Sequence, residues 1–243
     1  MATAILGGLR RQGVPASQFL VVEPLASQRD KLATEWGVMA LPEADASLTQ
    51  AEVVVWAVKP QLFAQAALPC APHVGGALHL SIMAGILSDA VVAATGSPQV
   101  VRAMPNTPAL VGRGISGLFA REAVSATQRS LVERLLAPTG RTLWVARESD
   151  LDAVTALSGS GPAYVFFFIE AMVQAGVEMG LSAAQARELA QETFAGAAAL
   201  AIQSPETPET LRERLSQLLQ VTHSDLENVN SGADSPAQHA EKT

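Results

Sequence analysis

At 243 residues, with 49% hydrophobic and 16% charged side chains, the chain has the composition of a protein folded around a core, in one large or two ordinary domains, and not of a disordered or fibrous polymer. A net charge of −7 without a cluster of Lys and Arg argues against nucleic acid as a partner. The one cysteine, Cys70, excludes an intramolecular disulfide and fits a reducing, cytoplasmic setting. The most apolar run, from Ala163 to Gly176, is interrupted by Glu170 and Gln174 and is shorter than the ~20 residues a bilayer span needs, so no membrane segment is expected. Met1 to Gly8 lacks a basic leader and a cleavage site of the signal-peptide kind. The four histidines show no metal-ligand spacing, and no metal is expected.

Ile5, Leu6 and Leu9 recur at helical spacing, and Gly13 with Pro15 closes the segment, so the chain opens inside a helix. Phe19 to Val22 is a short strand-like run closed by Glu23-Pro24, and Ser27 to Trp36 reads as a helix stopped by Gly37. Val53 to Val58 is an unbroken apolar strand, Gln61 to Ala67 is helical, and Ala77 to Ile82 is the next strand. Such continuous apolar strands suit a parallel sheet covered on both faces. Val100 to Met104 adds a strand ended by Pro105-Asn106-Thr107-Pro108; further strands at Ile115 to Ala120 and Thr142 to Val145 flank a Ser125-capped helix from Ala126 to Leu136. The alternation up to residue 147 predicts a doubly wound, mostly parallel α/β domain.

After Asp150 the strand-like runs stop and Ala, Leu, Glu and Gln dominate. The pattern predicts a helix from Asp150 to Leu157, a break at Ser158-Gly159-Ser160-Gly161-Pro162, a long helix to Met179, another capped by Ser182 and running to about Gln203, and a fourth from near Thr207. Residues 148–221 thus form an all-α domain, and the polar residues 222–243 are expected to be a disordered tail.

Three segments carry chemistry. Ala57-Val58-Lys59-Pro60 ends a buried strand, where open α/β sheets place their ligands, and Lys59 puts a cation there. Taken singly, a lysine after a strand is also ordinary solvated surface. Arg102-Ala103-Met104-Pro105-Asn106-Thr107-Pro108 again follows a strand, and two prolines fix the backbone around an amide; this reads either as a rigid turn or as a means of holding Asn106 against a cofactor. Ser158-Gly159-Ser160-Gly161-Pro162-Ala163-Tyr164 is a small-residue loop entering a helix with Pro162 at its first turn, suited to an anion or to close backbone packing.

In this order the three segments resemble the pyrroline-5-carboxylate reductase family, which shows Val-Lys-Pro, then Arg-x-Met-Pro-Asn-Thr-Pro, then Leu-Ser-Gly-Ser-Gly-Pro-Ala-Tyr; here they stand at Val58, Arg102 and Leu157, and the resemblance covers roughly residues 1 to 214. It implies a Rossmann-type dinucleotide-binding domain followed by an all-α dimerisation domain. It also implies hydride transfer from NADPH or NADH to the C=N carbon of 1-pyrroline-5-carboxylate, giving L-proline, in a cytoplasmic homodimer or higher homo-oligomer without nucleic-acid or membrane partners. By position, Ala57, Val58, Lys59, Pro60, Ile82, Met83, Ala84, Asn106 and Thr107 would line the cofactor, while Ser158, Gly159, Ser160, Gly161 and Pro162 would lie near the nicotinamide and substrate, with Glu148 a further substrate-side candidate. No heavy acid/base work is expected, since a protonated imine is already electrophilic and the task is alignment. Glu23, at the end of the second strand, can accept from a ribose 2′-OH and favours NADH, against which Arg29 stands close by.

Two departures from the family are expected to matter. The family begins with a strand and a Gly-x-Gly-Asn-Met turn; Met1 aligns with that methionine, and Gly7-Gly8 falls inside the helix. A central strand outside the chain would withhold about five buried side chains, or roughly 7–15 kcal/mol at ~1.5–3 kcal/mol each, so weak stability and weak cofactor binding are expected, with the native strand encoded upstream. After Arg214 the family continues with Val-Thr-Ser-(Pro or Lys)-Gly-Gly-Thr-Thr, whereas Leu215 to Thr243 has no glycine pair and only Thr222-His223-Ser224 as hydroxyl donors, as a frameshift or an altered terminus would produce. Two other readings compete. A β-hydroxyacid-type dehydrogenase of the same plan would use a lysine on an interdomain helix, but none occurs from Asp150 to Gln203; a non-catalytic fragment that only dimerises needs no intact site.

Overall fold

In the computed structural model residues 1–217 are described, and the chain divides into two compact units, Met1–Tyr164 and Val165–Thr243. The first unit holds a five-stranded sheet in the order β1 (Val53–Trp56), β2 (Leu78–Ser81), β3 (Val100–Met104), β4 (Gly114–Ala120) and β5 (Gly140–Trp144). β1, β2 and β3 run parallel, β4 lies antiparallel to β3, and β5 runs parallel to β4. Among the described residues β1 is an edge strand.

Helices cover both faces, which is why the inner strands β2 and β3 are buried almost throughout, His79, Ser81 and Arg102 included. On one side α1 (Ala2–Arg11) and α5 (Ala126–Leu136) bring Ile5, Val132 and Leu136 against Leu78, Leu80, Val101 and Leu118. On the other, α3 (Phe63–Val74) and α4 (Ser88–Thr95) bring Phe63, Ala67 and Val91 against Trp56 and Val100. Burial of such side chains, at ~1.5–3 kcal/mol each, is the main favourable term holding the sheet together. Trp56 and His79 lock the layers with a polar bond: the Trp56 Nε1–H donates to His79 Nδ1 at 2.9 Å, and His79 Nε2 lies 3.1 Å from the Val74 carbonyl. α5 carries the expected Ser125 cap, reciprocated by Gln128.

Four local expectations are corrected. Phe19 to Val22 forms no ladder: Val22 makes one isolated parallel bridge to Leu41, with Leu41 N–H on Val21 O at 2.7 Å and Glu23 N–H on Leu41 O at 2.9 Å. Pro24 and Pro42 follow directly on the two segments and remove the donors that would extend the pairing. α3 runs past Ala67 to Val74, through Pro69 and Pro72, both on its exposed side where water can serve the carbonyls left without a helical donor. α4 was not anticipated at all; its N-cap is Leu87, which offers no side-chain acceptor. Finally, the expected break at residues 158–162 is instead a turn of π-helix, Thr155–Gly159, between α6 (Asp150–Val154) and α7 (Gly161–Glu178).

In the second unit α7 turns at Gly180, with φ +100°, into α8 (Ala183–Gln203), whose N-terminus is capped by Ser182 and Gln185 as the sequence predicts. Gly176 lies against Ala186, and the Phe168 and Phe194 rings are 6.4 Å apart. Residues 208–217 are helical. The helical run Asp150–Glu178 is 29 residues long and, by length and composition alone, apolar enough to cross a bilayer, unlike the shorter run read from the sequence. Phe166, Phe167, Met172, Leu189 and Ile202 are exposed in this unit. The expected tail, with Thr222-His223-Ser224, lies outside the described residues.

Candidate functional site

The sheet sets the order of the site. Because β1, β2 and β3 are parallel neighbours, the segments after them, 57–60, 82–87 and 105–107, emerge side by side at one edge. Ile82 N–H donates to Trp56 O at 3.1 Å, joining the first two segments, and Met83 N–H reaches Ser81 Oγ at 3.4 Å. Met83 is buried; Val58 and Ile82 are half-buried; Ala57, Lys59, Pro60, Ala84 and Thr107 are exposed. Ala57, Pro60, Ala84 and Thr107 put small side chains at this edge, and Lys59 makes no ion pair among the described residues.

Glu23 stands apart on the segment that bridges to Leu41. Its carboxylate accepts from the Leu25 N–H at 2.9 Å, and Arg29 folds back to donate to the carbonyls of Glu23 and Pro24 at 2.9 and 2.7 Å. Both charged side chains are thus held close to the first turn of α2 (Ala26–Trp36).

The third motif joins the second through one backbone defect. Pro162 has no N–H, so the carbonyl of Ser158, four residues earlier, has no α-helical donor. The chain widens into the π turn, with Ser160 N–H on Thr155 O at 2.9 Å, and Asn106 Nδ2 donates to the Ser158 carbonyl at 3.2 Å. Asn106 Oδ1 in turn accepts from Ile115 N–H at 3.0 Å, so the amide is fixed at both ends. The helical segment lies close on the sheet: a Cβ on Gly159 would come within 3.1 Å of Met104 Cε, and one on Gly117 within 2.7 Å of Val154 Cγ1. Ser160 is exposed at the bend, while Gly161 and Pro162 are half-buried.

Glu148 lies at the other end of that segment. One oxygen, Oε1, accepts from the Ser88 N–H at 2.6 Å and from Arg102 Nη1 at 2.9 Å, while Oε2 accepts from the Ser88 hydroxyl at 2.6 Å. Burial pushes the Glu148 carboxyl up, but the Ser88 hydroxyl and N–H and the Arg102 guanidinium together outweigh it and hold the group below the usual carboxylate range. This is the missing cap of α4, supplied from sixty residues away. Arg102 itself is buried, its Nε without a partner among the described residues, and Arg121 donates to Ser88 Oγ at 3.0 Å while pairing with Asp89.

Arg102, Ser88 and Arg121 are the residues that reading by sequence left out of the site. Arg102 carried a signal, since a charge inside an otherwise apolar strand must find a partner. Ser88 and Arg121 carried none that spacing could show.

Residues 148–227 match a family model described as pyrroline-5-carboxylate reductase dimerisation, and residues 1–85 match one described as NADP oxidoreductase, coenzyme F420-dependent. The pyrroline-5-carboxylate reductase of Pseudomonas aeruginosa is 44% identical over 218 residues, covering 89% of this chain and 80% of that protein. This chain belongs to the pyrroline-5-carboxylate reductase family. The Haemophilus influenzae enzyme is 42% identical over 219 residues, with the same coverage. Among solved structures, the Coxiella burnetii reductase superposes with a TM-score of 0.83 at 30% identity, over 94% of this chain and 88% of that one. The Plasmodium falciparum reductase, solved with NADP bound, has the same fold at a TM-score of 0.76 and 24% identity, over 95% and 89% of the two chains.

Proposed function

We propose that the chain reduces 1-pyrroline-5-carboxylate to L-proline with NADPH or NADH. The observation that carries the reading is the Asn106–Ser158 hydrogen bond, which brings the cofactor-side motif and the substrate-side motif of a family member into one site. When bound, the nicotinamide supplies the hydride. The chain's own residues supply place: Ala57, Val58, Lys59 and Pro60, then Ile82, Met83 and Ala84, then Asn106 and Thr107 form the cofactor side, with Glu23 and Arg29 toward the adenosine ribose. Ser158, Gly159, Ser160, Gly161 and Pro162 form the substrate side, and Glu148 belongs to it through the segment it begins. None of these groups needs to move a proton for a protonated imine to accept hydride; holding two reactants in line supplies the acceleration.

In this reading residues 1–147 bind the dinucleotide, residues 148–221 pair with a second copy, and the exposed Phe166, Phe167, Met172 and Leu189 are covered by that copy and not by lipid. The domain pairing, a cytoplasmic location and the lack of nucleic-acid partners stand or fall with it. The test is NADPH and NADH oxidation followed at 340 nm with 1-pyrroline-5-carboxylate, together with light scattering. Substrate-dependent oxidation that yields proline, from a dimer or larger assembly, is expected; a dimer without turnover would favour the fragment that only dimerises.

A further inference from the structure

Glu148, Arg102 and Ser88 come from three separate parts of the first unit. Ser88 begins α4 and closes the loop 82–87 on the proposed cofactor side. Arg102 lies in β3, four residues before Asn106. Glu148 precedes the helical segment that ends in the π turn of the proposed substrate side. β3 and its exit loop therefore grip that segment twice, with Arg102 on Glu148 at its start and Asn106 on the Ser158 carbonyl at its end. Between the two grips Val154 is pressed against Gly117 of β4, and just past the second Gly159 lies against Met104.

An ion pair largely withdrawn from water, as Arg102 and the half-buried Glu148 are, is a poor device for stability, because desolvating the charges offsets much of their attraction. This pair is weaker still on that score, since Arg102 Nε has no partner among the described residues. What hydrogen bonds in fixed directions do well is to define a distance. Three donors, two from Ser88 and one from Arg102, converge on the one Glu148 carboxylate, and Oε1 is shared between the two segments.

We propose that Glu148 and Arg102 are positioning residues for the reaction: through Ser88 they set the spacing between the 82–87 loop and the π turn at 155–159. This rests on the reductase reading for its kinetic consequence, while the bracket itself is a property of the fold. Neither residue touches the reacting atoms. A wrong spacing leaves each half of the site able to bind its own ligand and misaligns the two, so the effect falls on kcat more than on KM.

The test compares the wild-type chain with Glu148→Ala, Glu148→Gln and Ser88→Ala, by steady-state kinetics and by amide hydrogen exchange resolved over residues 82–91 and 155–161. In Glu148→Ala, kcat is expected to fall about 10- to 100-fold with each KM changed less than about threefold, and exchange to quicken at both segments while β3 and β4 stay protected. A glutamine keeps an oxygen for the Ser88 N–H and Arg102 and an amide N–H for the Ser88 hydroxyl, so Glu148→Gln restores kcat to within about threefold. Ser88→Ala, which removes a single hydroxyl, gives a smaller change in the same direction and covers the case in which Glu148→Ala does not fold. Unchanged exchange at the two segments, an even rise across the whole unit, or full kcat in Glu148→Ala would each overturn the proposal. A wild-type chain that turns over no substrate refutes the reductase reading instead, and the exchange pattern alone then decides the bracket.

Discussion

Replacing Gly117 with alanine tests how closely the segment that carries the π turn is held on the sheet. The added Cβ would stand 2.7 and 2.8 Å from the two methyls of Val154 and 3.2 Å from its Cβ. β4 cannot yield, because Gly117 is paired with Met104 on one side and Leu143 on the other. α6 cannot withdraw freely either, being tied by Glu148 before it and Ser158 after it. Overpacking of this kind costs about 1–3 kcal/mol, and overlap with two methyls places it near the top of that range. Alanine in a strand recovers about 0.5–1 kcal/mol relative to glycine, which leaves a net loss of about 2 kcal/mol. Val154 is half-buried, so Val154→Ala alone costs about 1 kcal/mol at ~0.8 kcal/mol per buried methyl. The double variant loses both methyl overlaps and keeps only the 3.2 Å approach to the Cβ of residue 154, which offsets the alanine gain, so it should be about as stable as Val154→Ala, a favourable coupling of about 2 kcal/mol. Urea unfolding of the four proteins measures it. Costs that add within about 0.5 kcal/mol would show that the two residues do not meet and would refute the packing argument.

Leu80 is fully buried between the two helical layers, and Leu80→Ala should cost about 2–5 kcal/mol, whereas Leu143→Ala, at a side chain more than half exposed, should stay within about 0.5 kcal/mol of wild type; urea midpoints compare the two. Burial drives the His79 imidazole below its ordinary range despite the Val74 carbonyl, so below about pH 6.5 the unfolded chain binds more protons than the folded one. Stability contributed by neutral His79 is therefore complete above that pH and is lost as the pH falls below it. The melting temperature of the wild type should drop between pH 6.5 and 5.5 more steeply than that of His79→Gln, and parallel curves would refute the assignment.

The parts of the fold legible in the sequence were those fixed by short-range pattern. The limits of β3 and α5 follow from an apolar run and from Ser125 with Gln128, and the start of α8 from Ser182 with Gln185. What could not be read were features decided by a distant partner. α4 has no local cap because its cap is Glu148. Phe19 to Val22 has the composition of a strand, yet pairing needs a neighbour, and its neighbour is a single residue flanked by proline. The candidate site shows the same division: the three motifs were visible as strings, while the bond between the second and third, and the whole Glu148 cluster, depend on contacts across 46 to 60 residues.

That division also changes what the motifs are for. Read as strings, Asn106 is an amide offered to a ligand and Ser158 to Pro162 a loop offered to an anion. In the structure a proline at position 162 creates the unpaired carbonyl at Ser158, the π turn aims it, and Asn106 satisfies it while its own oxygen is held by Ile115. The two prolines around Asn106 then have a definite task, which is to keep that amide where the carbonyl arrives. Each motif supplies what the other lacks, so neither can be varied alone: an asparagine without the proline has no carbonyl to meet, and the proline without the asparagine leaves a half-buried carbonyl unmatched at about 1–3 kcal/mol. Alignment of two reactants is the work proposed for this site, and a mutual brace between the Asn106 and Ser158 segments is the means by which it would be done if, as proposed, no group there has to move a proton.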